Sequence, residues 1–144
     1  MKAIILAAGR GSRMKSITDD RPKCLVELKG RTLLDLQISS LKAAGIKQVA
    51  IVTGYKHELL AISGVHEFHN SRWSETNMVA SLACADEWLQ MEPCIVSYSD
   101  IFYEKIFSNI LHYIYNLIDL IISALYSGSP FFPQENKKSK NIKL

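Results

Sequence analysis

The feature that most constrains the fold is an apolar N-terminal segment that ends in a glycine-containing loop. Residues 3–7 have the length and composition of a buried strand, and Gly9 and Gly11 follow on either side of Arg10. Glycine permits positive φ and a close backbone approach to a ligand, so consecutive loop N–H groups can point into one concavity and hold an anion. The sequence therefore predicts a buried strand whose C-terminal end carries an anion-binding loop.

The rest of the chain alternates between strand-like and helix-like segments. The patterns predict strands at 3–7, 49–52, 65–69, 94–98 and 120–125, helices at 32–45, 56–62, 78–89 and 103–113, and an extended segment at 24–28. This order is typical of a parallel sheet covered by helices. We predict a three-layer α/β/α Rossmann-like domain with a mostly parallel sheet at residues 1–127, followed by a disordered basic tail at 128–144.

Composition limits the possible partners. The chain has 144 residues and 48% hydrophobic content, which is typical of one globular domain. Its net charge of +3 comes from the tail, which contains Lys137, Lys138, Lys140, Lys143 and Glu135. The remainder is neutral, which argues against nucleic acid as a partner.

Three further observations concern the compartment. The cysteines are odd in number and lack metal-type spacing, so we expect buried free thiols in a reducing environment. The N-terminus runs into the first strand without the layout of a signal peptide. The apolar stretch at 106–126 is interrupted by polar residues, including Asp119, which argues against a membrane span. We therefore expect a cytoplasmic protein without a membrane partner.

The first loop is strongly cationic. Within fourteen positions the chain contains Arg10, Arg13, Lys15, Arg21 and Lys23. Arginine offers a planar fork and lysine a compact charge for phosphate oxygens, so these cations could bind a polyphosphate. The alternative is an ordinary basic loop that is exposed to solvent and binds no ligand. Two known phosphate loops do not fit: Met14 stands where the dinucleotide fingerprint needs a third glycine, and the Gly-Lys-Ser/Thr of a Walker loop is absent.

A longer motif does fit. Residues 6–14, Leu-Ala-Ala-Gly-Arg-Gly-Ser-Arg-Met, followed by Pro22-Lys23, resemble the signature of the nucleoside-triphosphate transferase family, which includes sugar-phosphate nucleotidylyltransferases and phosphocholine cytidylyltransferases. The resemblance implies transfer of a nucleoside monophosphate from a nucleoside triphosphate to a phosphorylated small molecule, with release of pyrophosphate. It implies catalytic roles for Arg13 at the β- and γ-phosphates and for Lys23 at the α-phosphate. The implied nucleotide-binding residues are Leu6, Ala7, Ala8, Gly9, Arg10, Gly11 and Ser12.

A second, narrower resemblance lies in residues 70–82. An Asn, an aromatic residue and then Thr-Asn-x-x-x-Ser-Leu are similar to the choline-phosphate cytidylyltransferase-like branch. The similarity implies that Glu75, Thr76 and Asn77 lie near the nucleobase or the acceptor. Capping of the following helix by Thr76 or Asn77 is the alternative. Trp73 and Trp88 are interpreted as packing residues.

The strand at 94–98 leads to the candidate metal ligand. It places Ser99-Asp100 at its C-terminal end, the edge at which open α/β sheets bind ligands. A carboxylate there suits Mg²⁺, which keeps several waters and bridges to substrate phosphates. The resemblance implies that Asp100 holds Mg²⁺, whereas the residue by itself is more typical of a turn. The four histidines show no metal-ligand spacing and are assigned no chemistry.

The resemblance extends over residues 1–126. Family members usually continue through an acceptor-binding region and a later metal ligand, so we expect a truncated member with an exposed sheet edge and possible self-association. Three functions stay open: an active nucleotidyltransferase, a catalytically impaired nucleotide-binding remnant, and a dinucleotide-binding oxidoreductase. The missing third glycine argues against the last.

Overall fold

A computed structural model describes residues 1–101 together with Tyr113 and Leu117. The chain forms two compact units, Met1–His112 and Tyr113–Leu144, and the described sheet lies in the first. Within the described residues, no helix has both the length and the apolar character needed to cross a bilayer. The predicted helix at 103–113, strand at 120–125, domain boundary at 127 and tail at 128–144 fall outside the described residues, apart from Tyr113, which is helical.

The core of the first unit is a parallel sheet. Its strands are β1 (Lys2–Leu6), β4 (Gln48–Thr53), β5 (His66–His69) and β6 (Cys94–Tyr98), in the order β5-β4-β1-β6. β1 is central, and its last residue, Leu6, pairs with Val52 of β4 and Tyr98 of β6. All three pairings are parallel, so these strands end at the same edge. This finding confirms the α/β fold with a mostly parallel sheet.

Successive residues of β1 point to opposite faces and build two cores. Ile5 belongs to a cluster with Leu34, Ile38 and Leu41 of α1 (Leu33–Ala43). Ile4 belongs to a cluster with Ala85 and Trp88, against which Leu82 packs. Leu82 lies on α2 (Met78–Ala83), Ala85 lies in the turn that follows, and Trp88 lies on α3 (Asp86–Met91). Helices therefore cover both faces of the sheet, as the three-layer prediction requires.

The start of α1 is capped by Thr32, and its end is followed by a glycine. The Thr32 hydroxyl accepts a hydrogen bond of 3.0 Å from the Asp35 N–H, and Gly45 beyond the helix has φ 85°. α1 is also tied to β6, because the buried Gln37 Nε2 donates to Ser97 Oγ at 2.6 Å and to the Tyr98 carbonyl at 3.0 Å. These bonds hold the end of β6 in place.

Two predicted elements are corrected. Residues 24–28 are not one extended segment: a 3₁₀ turn at Lys23–Leu25 precedes β2 (Glu27–Leu28), which pairs antiparallel with β3 (Arg31–Thr32). The predicted helix at 78–89 is two helices. Between them the N–H groups of Cys84 and Ala85 donate to the carbonyls three residues earlier, which is the pattern of a 3₁₀ turn. That turn buries Ala85 in the core.

The cysteine prediction is correct only in part. Cys24 is buried, Cys94 is half-buried, and all three thiols are free. Cys84 is exposed, so the prediction of a buried thiol is wrong there. Cys84 directly follows α2, and its thiol donates to the Ala80 carbonyl at 3.4 Å.

Candidate active site

A cleft of about 590 Å³ lies at the C-terminal edge of the parallel sheet, beyond the ends of β1 and β6. Open α/β sheets bind ligands at this edge. We name its two sides. The charged wall consists of residues 6–13, Lys23 and Asp100, and the loop wall consists of residues 70–78. The cleft is lined by Leu6, Ala8, Gly9, Gly11, Arg13, Lys23, Trp73, Thr76, Asn77, Met78, Ser81, Tyr98, Ser99, Asp100 and Ile101.

The backbone of the charged wall is held by its neighbours. The Ala7 N–H donates to the Val52 carbonyl at 2.9 Å, and the Ala8 carbonyl accepts from the Tyr55 N–H at 2.9 Å. Gly11 is in the left-handed region at φ 72°, and a Cβ there would lie 3.1 Å from Cβ of Lys23. A Cβ at Gly9 would meet nothing within 4 Å. Gly9 is therefore not required by packing, and its bare backbone faces the space that a ligand would fill.

Two cations and one carboxylate meet in this wall. Lys23 Nζ forms a hydrogen-bonded ion pair with Asp100, and both side chains are partly exposed to the cleft. The hydrogen bond from Lys23 outweighs desolvation and holds the pKa of the Asp100 carboxyl below its ordinary value, and the charges of Lys23 and Arg13 lower this pKa further by smaller amounts. Asp100 is thus ionised at neutral pH, and Arg13 supplies a second positive charge in the same cleft.

The turn that carries Lys23 is anchored in the core. Pro22 is fully buried, and its carbonyl accepts from the Leu25 N–H at 2.9 Å to close the 3₁₀ turn. The following residue, Cys24, is also fully buried, and this burial raises the pKa of its thiol to about 12. Since both neighbours of Lys23 point inward, its side chain is directed out toward Asp100.

The loop wall is built around one buried amide. Asn70 directly follows β5, and its Nδ2 donates to Thr76 Oγ1 and to Ser81 Oγ, each at 3.0 Å. Its Oδ1 accepts from the Arg72 N–H at 3.0 Å. Thr76 Oγ1 in turn donates to the Arg72 carbonyl at 2.8 Å. The polar side chains of this loop therefore satisfy one another.

Asn77 has the capping role that the sequence left open. Its Oδ1 accepts from the N–H groups of Val79 and Ala80 at 3.0 and 3.1 Å, which caps α2. Asn77 also lines the cleft, so the cap does not exclude a ligand contact.

Two residues outside the predicted site shape the loop wall: Trp73, which was interpreted from sequence as a packing residue, and Gly54. Trp73 lines the cleft and packs edge-on against Tyr55, with ring centroids 5.3 Å apart. Gly54 makes room for it, because a Cβ at Gly54 would lie 2.5 Å from Cβ of Trp73 and 2.6 Å from the Ala8 carbonyl oxygen. The glycine directly after a core strand was a usable signal, whereas nothing in the residue type of Trp73 separates a cleft position from a core position.

The structure gathers most of the predicted site residues and leaves four outside the lining. Leu6, Ala8, Gly9, Gly11, Arg13, Lys23, Thr76, Asn77 and Asp100 line the cleft. The other four are Ala7, Arg10, Ser12 and Glu75. Ala7 is buried in the core. Arg10 pairs with Asp19 at 2.7 Å, Glu75 pairs with Arg72 at 3.2 Å, and Ser12 begins a 3₁₀ segment.

The donor set of the cleft fits a magnesium ion. Asp100 supplies an ionised, partly exposed carboxylate at the sheet edge, and Ser99 lies beside it in the lining. Mg²⁺ is usually bound by one or two carboxylates plus substrate phosphates, with several waters retained. Asp100 can therefore hold Mg²⁺ in this cleft only if the phosphate oxygens of a bound substrate complete the coordination shell of the ion.

Comparison with known proteins identifies relatives that are cytidylyltransferases. The chain is 42% identical over 113 residues to CTP:phosphoglutamine cytidylyltransferase of Campylobacter jejuni, a match that covers 72% of the chain and 45% of that protein. It is 39% identical over 93 residues to choline-phosphate cytidylyltransferase of Streptococcus pneumoniae, covering 62% of the chain and 41% of that protein.

The fold agrees with these matches. A solved structure of CTP:phosphocholine cytidylyltransferase from Streptococcus pneumoniae aligns with a TM-score of 0.61 at 33% identity, over 69% of the chain and 44% of that protein. The chain thus spans less than half the length of these relatives. A model of the MobA-like NTP transferase domain matches residues 3–122. The predicted resemblance is confirmed, and the chain belongs to the MobA-like NTP transferase domain family.

Proposed function

We propose that this protein transfers a cytidylyl group from CTP to a phosphorylated small molecule such as phosphocholine or a sugar phosphate. The observation that carries the proposal is the convergence of Arg13, Lys23 and Asp100 in one cleft beside the bare backbone of Gly9. The preference for CTP is supported by relatives that are cytidylyltransferases at 42% and 39% identity. Free thiols at all three cysteines favour the cytoplasm as the compartment.

The reaction is a displacement at phosphorus. An oxygen of the acceptor phosphate forms a bond to the α-phosphorus of CTP, and the bond from that phosphorus to the bridging oxygen of the β-phosphate breaks. The electron pair leaves with pyrophosphate, so the protein has mainly to position the two phosphates and offset their charge. When bound by Asp100, Mg²⁺ would supply further neutralisation of the triphosphate.

The residues of the charged wall divide this task. N–H groups of residues 8–12 would hold the triphosphate, and Arg13 would offer a guanidinium to the leaving β- and γ-phosphates. Lys23 is paired with Asp100 before the nucleotide arrives. A triphosphate in the cleft would become the new partner of Lys23, which leaves Asp100 free to bind the cation. Lys23 then faces the charge that grows at the α-phosphate.

The test measures nucleotide binding and turnover separately, because the chain spans less than half the length of its relatives. Pyrophosphate release is followed with CTP, UTP, ATP and GTP against phosphocholine, phosphoglutamine and glucose 1-phosphate. We expect magnesium-dependent release with CTP. Binding of CTP without release for any acceptor would support the alternative, a nucleotide-binding protein with impaired catalysis. Absence of nucleotide binding would contradict both.

A variant pair tests the metal ligand. Asp100→Asn should keep the fold but remove the magnesium dependence of CTP binding, because asparagine keeps the turn and loses the charge. Asp86→Asn is the matched control, since Asp86 lies on α3 and contacts Gln90 outside the cleft. Unchanged magnesium dependence in Asp100→Asn would remove Asp100 from the proposed metal site.

A further inference from the structure

We propose that His57, Glu67 and His69 bind one divalent transition-metal ion of the zinc type, at a site separate from the active-site cleft. One donor atom from each residue lies within 4.8 Å of the donor atoms of the other two. Two imidazoles and one carboxylate, with a fourth position open to water, form a ligand set that Zn²⁺ takes in proteins. Mg²⁺ prefers a shell of oxygens, so this site differs in chemistry from Asp100.

The fold brings these three side chains together from two elements. Glu67 and His69 are two residues apart in β5, so they point to the same face, while Phe68 between them is buried in the core. His57 begins the 3₁₀ turn that follows β4, and Leu60 at the other end of that turn is buried. β5 therefore places Glu67 and His69 on one face, and the anchored turn places His57 beside them.

The distances allow coordination after small rotations. His57 Nδ1 lies 3.6 Å from Glu67 Oε1, and the ring centroids of His57 and His69 are 4.2 Å apart. Donors at about 2.1 Å from one tetrahedral ion lie roughly 3.4 Å apart. The side chains of His57 and Glu67 are 48% and 41% exposed, so they can rotate by this amount without moving the core.

A buried hydroxyl orients two of the ligands. Thr53, the last residue of β4, is fully buried, and its Oγ1 donates to Glu67 Oε1 at 2.5 Å. The same oxygen lies 3.1 Å from Nδ1 of His69. Outer partners of this kind fix the orientation of metal ligands in known sites. A carboxylate has about four lone-pair sites on its two oxygens, so the bond from Thr53 to Oε1 leaves Glu67 able to bind an ion through either oxygen.

A bound ion would stabilise the loop wall through Thr53. The Thr53 carbonyl accepts from the Asn70 N–H at 2.9 Å, and Asn70 is the residue around which the loop wall is organised. The site also joins β5, which lies at one end of the described strand order, to the turn after β4. We therefore assign the ion a structural role: it fastens β5 and, through Asn70, the side of the cleft that carries Trp73.

The test titrates Zn²⁺ into the purified, tag-free chain without nucleotide and follows heat and imidazole nitrogen NMR signals. We expect one equivalent to bind, with the signals of His57 and His69 shifted and those of the other histidines unchanged. His57→Asn, Glu67→Gln and His69→Asn should each weaken binding at least about tenfold. His66→Asn is the matched control: it lies on the same strand but faces Glu87 at 3.9 Å and stacks on Trp88.

Asp100→Asn separates this proposal from the proposed function, since it should bind Zn²⁺ as tightly as the wild type. Absence of stoichiometric binding by the wild-type chain would overturn the proposal, and this result does not depend on whether any variant folds. Shifts confined to the signals of other histidines would overturn it as well. So would a Zn²⁺ affinity equal to that of the wild type in all three ligand variants.

Discussion

The two walls of the cleft use their polar side chains in opposite ways. In the charged wall the backbone is fixed by the sheet, and Arg13 and the Lys23–Asp100 ion pair present their charges to the cleft. In the loop wall the polar groups of Asn70 and Thr76 are satisfied by each other and by the backbone. The surface that remains for a ligand includes Trp73 and Met78. The first wall is therefore suited to charge, and the second mainly to shape.

The largest expected effect is on the charged wall. Lys23→Ala should weaken CTP binding or turnover by ten- to a hundredfold, because a charge-assisted hydrogen bond contributes on the order of 1.5–3 kcal/mol. Arg13→Ala should act similarly. Arg21→Ala is the matched control, since Arg21 is paired with Asp20 at 2.8 Å and does not line the cleft. Calorimetry with CTP measures the change, and equal losses in Arg21→Ala would mean that general charge, and not position, holds the nucleotide.

The next prediction separates packing from ligand approach with two glycines. Gly54→Ala should lower the free energy of unfolding by about 1–3 kcal/mol, because the new methyl group would overlap Trp73 and a backbone oxygen. Gly9→Ala should leave stability within about 1 kcal/mol of wild type, since its Cβ meets nothing, but should weaken CTP binding. Chemical denaturation and calorimetry provide both values. Full CTP affinity in Gly9→Ala would contradict the proposed position of the triphosphate.

The same contrast explains which features could be predicted from sequence. The parallel sheet was predictable from the residue types of its apolar strands, whereas the charged wall was predictable because residues 6–14 and Pro22-Lys23 resemble a family motif. Arg10 could not be separated from Arg13 in this way, since its pairing with Asp19 depends on where the 3₁₀ segment turns. Charge in the sequence does not reveal whether a partner lies nearby in space.

The loop wall was harder to predict for a related reason. Asn, Thr and Ser are equally able to cap a helix, bond to one another or contact a ligand, and only the three-dimensional arrangement decides. The helix at 78–89 shows the same limit, because its periodicity continues through Cys84 although the backbone tightens there. The histidines also showed no linear motif, yet the alternation of Glu67 and His69 along β5 places them on one face.

A pH experiment tests how the charged wall is anchored. The pKa of the Cys24 thiol is raised by burial to about 12 in the folded protein, from an ordinary value of 9.0. A raised pKa gives stability that is present below pH 9 and is lost at higher pH, because the unfolded chain releases the proton first. The stability difference between wild type and Cys24→Ala should shrink by about 1.4 kcal/mol from pH 7 to pH 10. A constant difference would mean that Cys24 is accessible to water.

The smallest expected effect belongs to Asn77, and it addresses whether the loop wall contacts the ligand through polar groups at all. Asn77→Ala should lower the free energy of unfolding by about 1 kcal/mol through loss of the cap of α2. Asn77→Ser should restore most of this stability, because a serine hydroxyl oxygen accepts from the same N–H groups without adding charge to the cleft. Denaturation gives stability and calorimetry gives CTP affinity for both variants. If Asn77 only caps the helix, affinity should follow stability and recover in Asn77→Ser. If affinity is lost in both variants while stability recovers in Asn77→Ser, the amide itself contacts the nucleotide, and the loop wall then contributes polar recognition as well as shape.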